Sequence, residues 1–489
     1  MSAIRGHAAH RRPDVGIAAL AVLAVLVVAG LVTRLGLAGL LVPLAGVGAL
    51  LLVGRPALAL GLFCGLLVLV ESAEDGGLLA TDALYDAVPG GATPAELLLV
   101  LAVGAVFLDV IRRGEALRLP VALAFPLALF VLAIASGSLV GLFAGVEPGD
   151  LVSAARHLPF LVIVPLLVVQ LVRTERDARV ALAWLAALAV LKALVGVAGV
   201  ATGRGADVEL DGASITFYAP VGNALALLVL LGVVAALLSR TRLPVWLLLG
   251  SPLLVLSLAL SQRRSFWVGA VLGLLLVVAL GSTPVGRRLF LPTAVLVAAS
   301  LWALSSVGFQ AEGPLVERAR SLEPSRVATN AEDRYRFDER TNVLEELRRH
   351  PLTGLGIGVP WSARHPVGLE HSRQYAHMVV LWQWLKLGLI GLAAYAAIML
   401  AAGRAAWLAW RRHRDPVLRA AGLAALCWLV AMAVVETTAS FTGVDPRFTV
   451  LMGVVLGLLI AMRPATLNAS SAVDPLNAVP ARTAPLSGR

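Results

Sequence analysis

Cysteine is almost missing from this chain: in 489 residues only Cys64 and Cys427 occur, far apart and each inside an apolar run. That excludes a disulfide framework and a cysteine-based metal site. Charge is scarce as well, at 14% of residues, where soluble domains carry about a quarter. Lysine is nearly absent, with Lys192 and Lys386 alone, so 38 of the 40 basic residues are arginine. No helix-length stretch carries the repeated arginines of a voltage sensor, and no internal repeat of broken helices marks a transporter midplane. What remains is 59% apolar, with a mean hydropathy of +0.87 and a formal charge of +10. A water-soluble enzyme is thereby excluded.

A bilayer core about 30 Å thick needs about 20 apolar residues per helix. Runs of that kind predict an all-α, polytopic transmembrane bundle of about fourteen spans (twelve to fourteen). They lie near residues 15–32, 35–53, 56–72, 93–111, 119–145, 158–172, 180–201, 215–238, 243–260, 265–280, 289–306, 376–402, 417–437 and 446–462. The first run follows Arg5, Arg11 and Arg12 and reads as a retained signal anchor, being long for a signal peptide. The expected organisation is N-terminal transmembrane helices over 1–306, an extracytoplasmic loop with an amphipathic helix over 307–375, C-terminal transmembrane helices over 376–462 and a disordered cytoplasmic tail over 463–489. Every second loop is basic: Arg55, then Arg112, Arg113 and Arg118, then Arg173, Arg176 and Arg179, then Arg240 and Arg242, then Arg287 and Arg288, then Arg404 to Arg419. The bias of short cytoplasmic loops toward arginine puts those loops and both termini inside a plasma membrane.

Two outward segments run against that bias. The turn Ser261-Gln262-Arg263-Arg264-Ser265 places two arginines outside, and the loop from Val307 to Tyr375 carries ten. A long loop translocates regardless of its charge, so the short pair is the more informative anomaly. A planar guanidinium matches phosphate oxygens in pairs, so Arg263 and Arg264 fit a phosphate ligand; snorkelling to lipid headgroups is the plain alternative. In the long loop Asn330 to His350 reads as a helix with Phe337, Leu344 and Leu347 on one stripe. Arg336 and Arg340, four apart, share a face there and supply either a second cationic surface or the charged side of an interfacial helix.

The turn Gly354-Leu355-Gly356-Ile357-Gly358 follows a helix and lacks a Lys-Ser/Thr ending, so it reads as a sharp turn and not as a nucleotide loop. His371 and His377 are six apart and share no helical face, and no neighbouring carboxylate or cysteine in the sequence completes a zinc set. At the mouth of an apolar run His377 suits a general base or a donor to phosphate, and equally an interfacial histidine held by a backbone carbonyl. Lys192, Asn223, Gln383, Lys386 and Glu436 are polar residues within spans and form no pattern.

The order of features in the C-terminal half resembles the O-antigen ligase and O-antigen polymerase superfamily. Arg263-Arg264-Ser265 after Leu260-Ser261 resembles the family's Ser-Arg-small helix opening. Arg336, followed by Pro351-Leu352-Thr353-Gly354-Leu355-Gly356, resembles its loop arginine and Pro-x-x-Gly-x-Gly turn. His377, with Gly388-Leu389-Ile390-Gly391-Leu392 after it, resembles its His-Asn helix start. Met378 stands where Asn is usual, Lys386 where an acidic residue is common, Arg340 where Trp often follows, and Arg263 where Ser would sit. Arg156 is a further outer-face arginine by the same topology.

The resemblance implies a membrane glycosyltransferase moving a glycan from an undecaprenyl-diphosphate carrier to an acceptor hydroxyl on the outer side of the plasma membrane. It would act as a ligase or polymerase, with no metal or other cofactor. Arg263, Arg264, Arg336 and Arg340 would bind the diphosphate, and His377 with Arg264 and Arg336 would be catalytic. Its partners would be the lipid-linked glycan, an acceptor glycan or glycolipid and membrane lipids, with no nucleic acid. The alternative is a transporter or flippase for lipid-linked oligosaccharide or a small anion; a non-catalytic envelope scaffold is a third reading.

Overall fold

The computed structural model describes residues 51–71, 81–86, 91–202, 220–261, 263–281, 331–365 and 373–463, together with short strands at 208–210 and 213–215 and a few isolated positions. The expected spans at 15–32 and 289–306, most of 35–53, the loop from 307 to 330, His371 and the tail all lie outside the described residues.

The regular structure of the described residues is helical apart from one antiparallel hairpin. The helices are α1 (Pro56–Leu69), α2 (Pro94–Arg113), α3 (Val121–Phe143), α4 (Pro148–Ala155), α5 (Phe160–Leu171), α6 (Glu175–Ala201), α7 (Pro220–Leu238), α8 (Val245–Leu260), α9 (Arg264–Gly281), α10 (Ala331–Arg349), α11 (Val379–Arg412), α12 (Pro416–Val435) and α13 (Pro446–Ala461). The hairpin, β1 (Val208–Leu210) and β2 (Ala213–Ile215), pairs Val208 with Ile215. Seven of these helices are long and apolar enough to cross a membrane, and α4 with α5 forms an eighth candidate bent by 45°. Helix α5 falls within the span expected at 158–172, and the bend lies at its entrance, where a turn was expected around Glu147 and Asp150. Pro159 caps α5 and disfavours helical backbone at Leu158, which separates the two pieces.

Helix ends are closed by local chemistry, as apolar surroundings demand of every backbone group. Thr93 and Glu96 form a reciprocal capping box on α2, and Thr174 with Asp177 does the same on α6. Asp415 and Asp445 cap α12 and α13, each followed by proline at the first helical position. The resulting bundle turns apolar side chains outward as well as inward: on α3 alone Val121, Phe125 and Phe143 are 89%, 70% and 90% exposed. Water does not tolerate such a surface, and lipid does. At the centre lies α13, buried along its whole length, packed chiefly on α5. Around it α3 packs on α11, α11 on α12, and α12 on both α7 and α9.

Candidate functional site

Helix α10 covers Ala331–Arg349, within a residue of the expected limits, but its buried stripe differs from the expected one. Phe337 is 68% exposed, while Tyr335, Glu339, Asn342, Val343, Glu346 and Leu347 are buried. Half of that buried face is polar because it packs on loop backbone and on the start of α11. Asn342 accepts from the Arg364 and His365 amides at 2.8 Å each and donates to the His365 carbonyl at 3.2 Å. Glu339 lies three residues beyond Arg336, on the adjoining face.

Glu339 holds His377 at two points. One carboxylate oxygen accepts from the His377 amide at 2.8 Å and the other lies 2.6 Å from ring Nδ1. An ionised carboxylate only accepts, so Nδ1 carries the proton and Nε2 is the basic nitrogen of the neutral ring. Two tyrosine rings meet the imidazole edge-on: Tyr335 at 5.8 Å and Tyr375 at 4.8 Å between centroids. Burial, reinforced by the charge of Glu339, pushes the Tyr335 phenol up to about 12, so it stays neutral beside the histidine. The dyad is invisible in the linear sequence, where His377 has no carboxylate close by.

The loop between α12 and α13 joins His377 to the second arginine cluster. The Tyr375 hydroxyl donates to the Ser440 carbonyl at 3.1 Å and accepts from the Ser440 amide at 3.0 Å. The Ser440 hydroxyl donates to the Ala376 carbonyl at 2.6 Å. One residue on, the Phe441 ring stacks under Arg263, with the guanidinium carbon 5.7 Å from its centroid. Arg264 opens α9 immediately after. Glu436 supports the same loop from beneath, accepting from the Thr442 amide and hydroxyl and from Tyr395 at 2.7 to 2.8 Å.

The glycine turn is more than a change of direction. Helix α11 is broken at Gly388, whose φ of 68° and ψ of −170° lie outside helical space. The turn lies against that break: the Leu355 amide donates to Leu385 at 2.7 Å and the Leu389 amide to Leu352 at 2.9 Å. On its other side the Ile357 amide reaches the Gly137 carbonyl of α3 at 3.0 Å. A Cβ on Gly354 would stand 2.4 Å from the Leu385 oxygen, and one on Gly141 would stand 2.3 Å from the Ile357 oxygen. Glycine lets these backbones touch, so that the turn and the break exchange backbone hydrogen bonds. Lys386, buried beside the break, donates to the Val359 carbonyl, and Trp361 donates through its indole to the Tyr375 carbonyl at 2.8 Å. The turn is thus fixed to the residues flanking His377.

The structure therefore brings Arg263, the start of α9 and His377 to one end of the bundle, joined by the Ser440–Phe441 loop, and sets Arg336 beside Glu339 on α10. Arg340 lies one turn on, on the exposed face. Among the described residues no cluster of three or more His, Cys, Asp or Glu side chains has metal-binding geometry. Sequence reasoning missed Glu339, Tyr335 and Ser440; only the helical period separating Tyr335 from Glu339 hinted at a shared buried face.

Residues 227–396 match the family model described as O-antigen ligase. No curated protein matches the chain. The matched segment runs from α7 through the Gly388 break and takes in Arg263, Arg264, Arg336, Glu339, Arg340 and His377, while the loop at 436–447 lies beyond it.

Proposed function

We propose, on the support of the O-antigen ligase match over residues 227–396, that this multi-pass membrane protein transfers a glycan from an undecaprenyl-diphosphate carrier to an acceptor hydroxyl on the outer side of the plasma membrane. The observation that carries the reading is the Glu339–His377 dyad at the end of the bundle that also holds Arg263 and Arg264. Glu339 keeps the imidazole in one tautomer and one orientation, as a base needs. Nε2 of His377 takes the proton of the acceptor hydroxyl while its oxygen bonds to the anomeric carbon of the donor sugar. The bond from that carbon to the diphosphate breaks, and the electron pair leaves with the diphosphate.

Negative charge builds on the departing group, and arginine forks match its oxygens two at a time. Arg264 and Arg336 serve that role, with Arg263 and Arg340 as further diphosphate contacts. The amide groups opening α9 favour the same anion. Arginine supplies the charge neutralisation that a divalent ion gives elsewhere, so the proposed reaction needs neither metal nor nucleotide sugar. On this reading both termini are cytoplasmic, which the arginine bias of the alternate short loops supports.

Purified protein in lipid, given an undecaprenyl-diphosphate-linked oligosaccharide and candidate acceptors with EDTA present, tests the proposal. Carrier-dependent transfer that resists EDTA is the expected outcome. Movement of the lipid-linked substrate across the bilayer with no bond made would replace the glycosyltransferase with a transporter.

A further inference from the structure

A cavity of about 290 Å³ with charged and polar side chains in its walls lies at the same end of the bundle. Its walls come from four separate pieces of chain: Tyr85, the start of α2 at Glu96, the end of α4 at Ser153 with Arg156 and His157 after it, and Arg447 at the start of α13. None of these residues falls within 227–396. The loop from Glu436 to Arg447 separates the cavity from His377: its Ser440 touches Tyr375, its Val444 carbonyl lies 3.1 Å from His157 Nδ1, and Arg447 lines the cavity itself. Seven residues from Ser440 to Arg447 span at most about 25 Å.

The charges in this cavity are largely balanced internally. Arg156 faces Glu96 at 3.5 Å, and Arg447 grips Asp445 with Nε and Nη2 at 2.9 to 3.3 Å. Burial works against ionising Asp445, yet Arg447 and the amides of α13 hold its carboxyl below the usual range. A phosphate or uronate here would meet Glu96. Sugar hydroxyls, which both donate and accept, suit a wall offering a carboxylate, guanidinium groups and an imidazole. Because the Val444 carbonyl can only accept, Nδ1 of His157 carries the proton and Nε2 is an acceptor. The Arg156 Nε is the atom that faces Glu96; at 3.5 Å it is ion-paired without a hydrogen bond, which leaves its N–H able to donate to a closer acceptor. Tyr85 is pinned by its hydroxyl to the Val70 carbonyl at 2.7 Å, which leaves its ring as a fixed apolar wall.

We infer that this cavity binds an uncharged sugar of the acceptor glycan, holding the acceptor while its reacting hydroxyl lies at His377. The inference rests on the glycosyltransferase reading for the acceptor role and on the cavity alone for glycan binding. It also divides the labour in the chain: the segment matched by the family holds the donor chemistry, and residues outside it choose the acceptor.

Two readouts test it. Fluorescently labelled protein in nanodiscs is applied to an array of neutral, acidic and phosphorylated oligosaccharides. Ser153 is exposed on the cavity rim, so Ser153→Trp occludes the cavity without entering the core; Glu96→Gln removes the carboxylate with little change of shape. Neutral glycans should bind to wild type and to His377→Ala alike, and at least tenfold more weakly to both cavity variants. In the transfer assay the cavity variants should raise the acceptor KM about tenfold and leave the donor KM unchanged. Array binding confined to anionic glycans, or unaffected by both variants, overturns the inference while transfer itself stands. Absence of transfer from any donor overturns the proposed function and with it the acceptor role, while the array result still decides whether the cavity binds glycan.

Discussion

The two ends of the bundle use their charged residues differently. At the arginine-rich end, charges are matched across neighbouring helices: Arg173 with Glu115, and Arg179 with Asp415, whose carboxylate also caps α12. Gln170 ties the Arg118 amide and carbonyl at 3.0 and 2.8 Å. At the other end Glu96 and Asp445 also pair with arginines, but two further carboxylates address a histidine and a loop. Glu339 positions His377, and Glu436 shapes the Thr442 turn. One end is a seal made of ion pairs, and the other adds to its ion pairs a set of loops fixed in place by hydrogen bonds. Charge at the first serves assembly; charge at the second sets the position of groups able to react.

Breaking the second end should therefore cost activity, and breaking the first should cost little of anything. The largest effect is expected for Arg264→Ala and Arg336→Ala, each lowering transfer by about 10²–10³-fold with insertion intact, because charge on the leaving diphosphate loses its partner. Arg336→Lys should also be strongly impaired, since a point charge does not reproduce a bidentate fork; steady-state rates on equal amounts of inserted protein decide this. Glu339→Gln keeps the shape but loses the fixed tautomer, and transfer should fall by roughly 10²-fold with donor binding retained. An unchanged rate would show that His377 needs no orienting partner.

Gly354→Ala probes the loop packing. With φ at 63° and the Leu385 oxygen 2.4 Å from the new Cβ, it should destabilise the protein by about 1–3 kcal/mol. Thermal unfolding in detergent would register that as a lower midpoint. Smallest of all is Arg179→Ala at the sealed end: its side chain is 56% exposed, and its buried partner Asp415 keeps the Val417 and Leu418 amides, so the stability loss should stay at about 1 kcal/mol. Its transfer rate should match wild type, and a large loss would erase the distinction between the ends.

Much of the fold was legible in the sequence because apolar runs, proline starts and charge breaks are local signals. The limits of α2, α3, α9 and α13 fall within a few residues of the expected spans. Helix α4 and its bend into α5 escaped because Glu147, Asp150, Arg156 and His157 make the stretch ahead of Pro159 read as a turn, and hydropathy carries no angle. The exposed position of Phe337 escaped for a different reason. Periodicity assumes that an apolar face is the buried one, whereas α10 buries Glu339, Asn342 and Glu346 against loop backbone that only folding supplies. The landmarks Arg264, Arg336 and His377 were legible as motifs. Glu339 was not, because its bond to His377 spans 38 residues and a single sequence holds no record of pairing. The glycine turn was legible as a turn, but not as the partner of the break at Gly388. The cavity at Arg156 and Arg447 joins four distant segments and had no linear signature beyond one outward arginine.

The most direct test of the account compares transfer by His377→Ala and Arg179→Ala with wild type, in proteoliposomes supplied with an undecaprenyl-diphosphate-linked donor and a competent acceptor. Loss of a general base predicts a fall of about 10²–10⁴-fold for His377→Ala, beside a wild-type rate for Arg179→Ala. Wild-type turnover by His377→Ala would contradict the account.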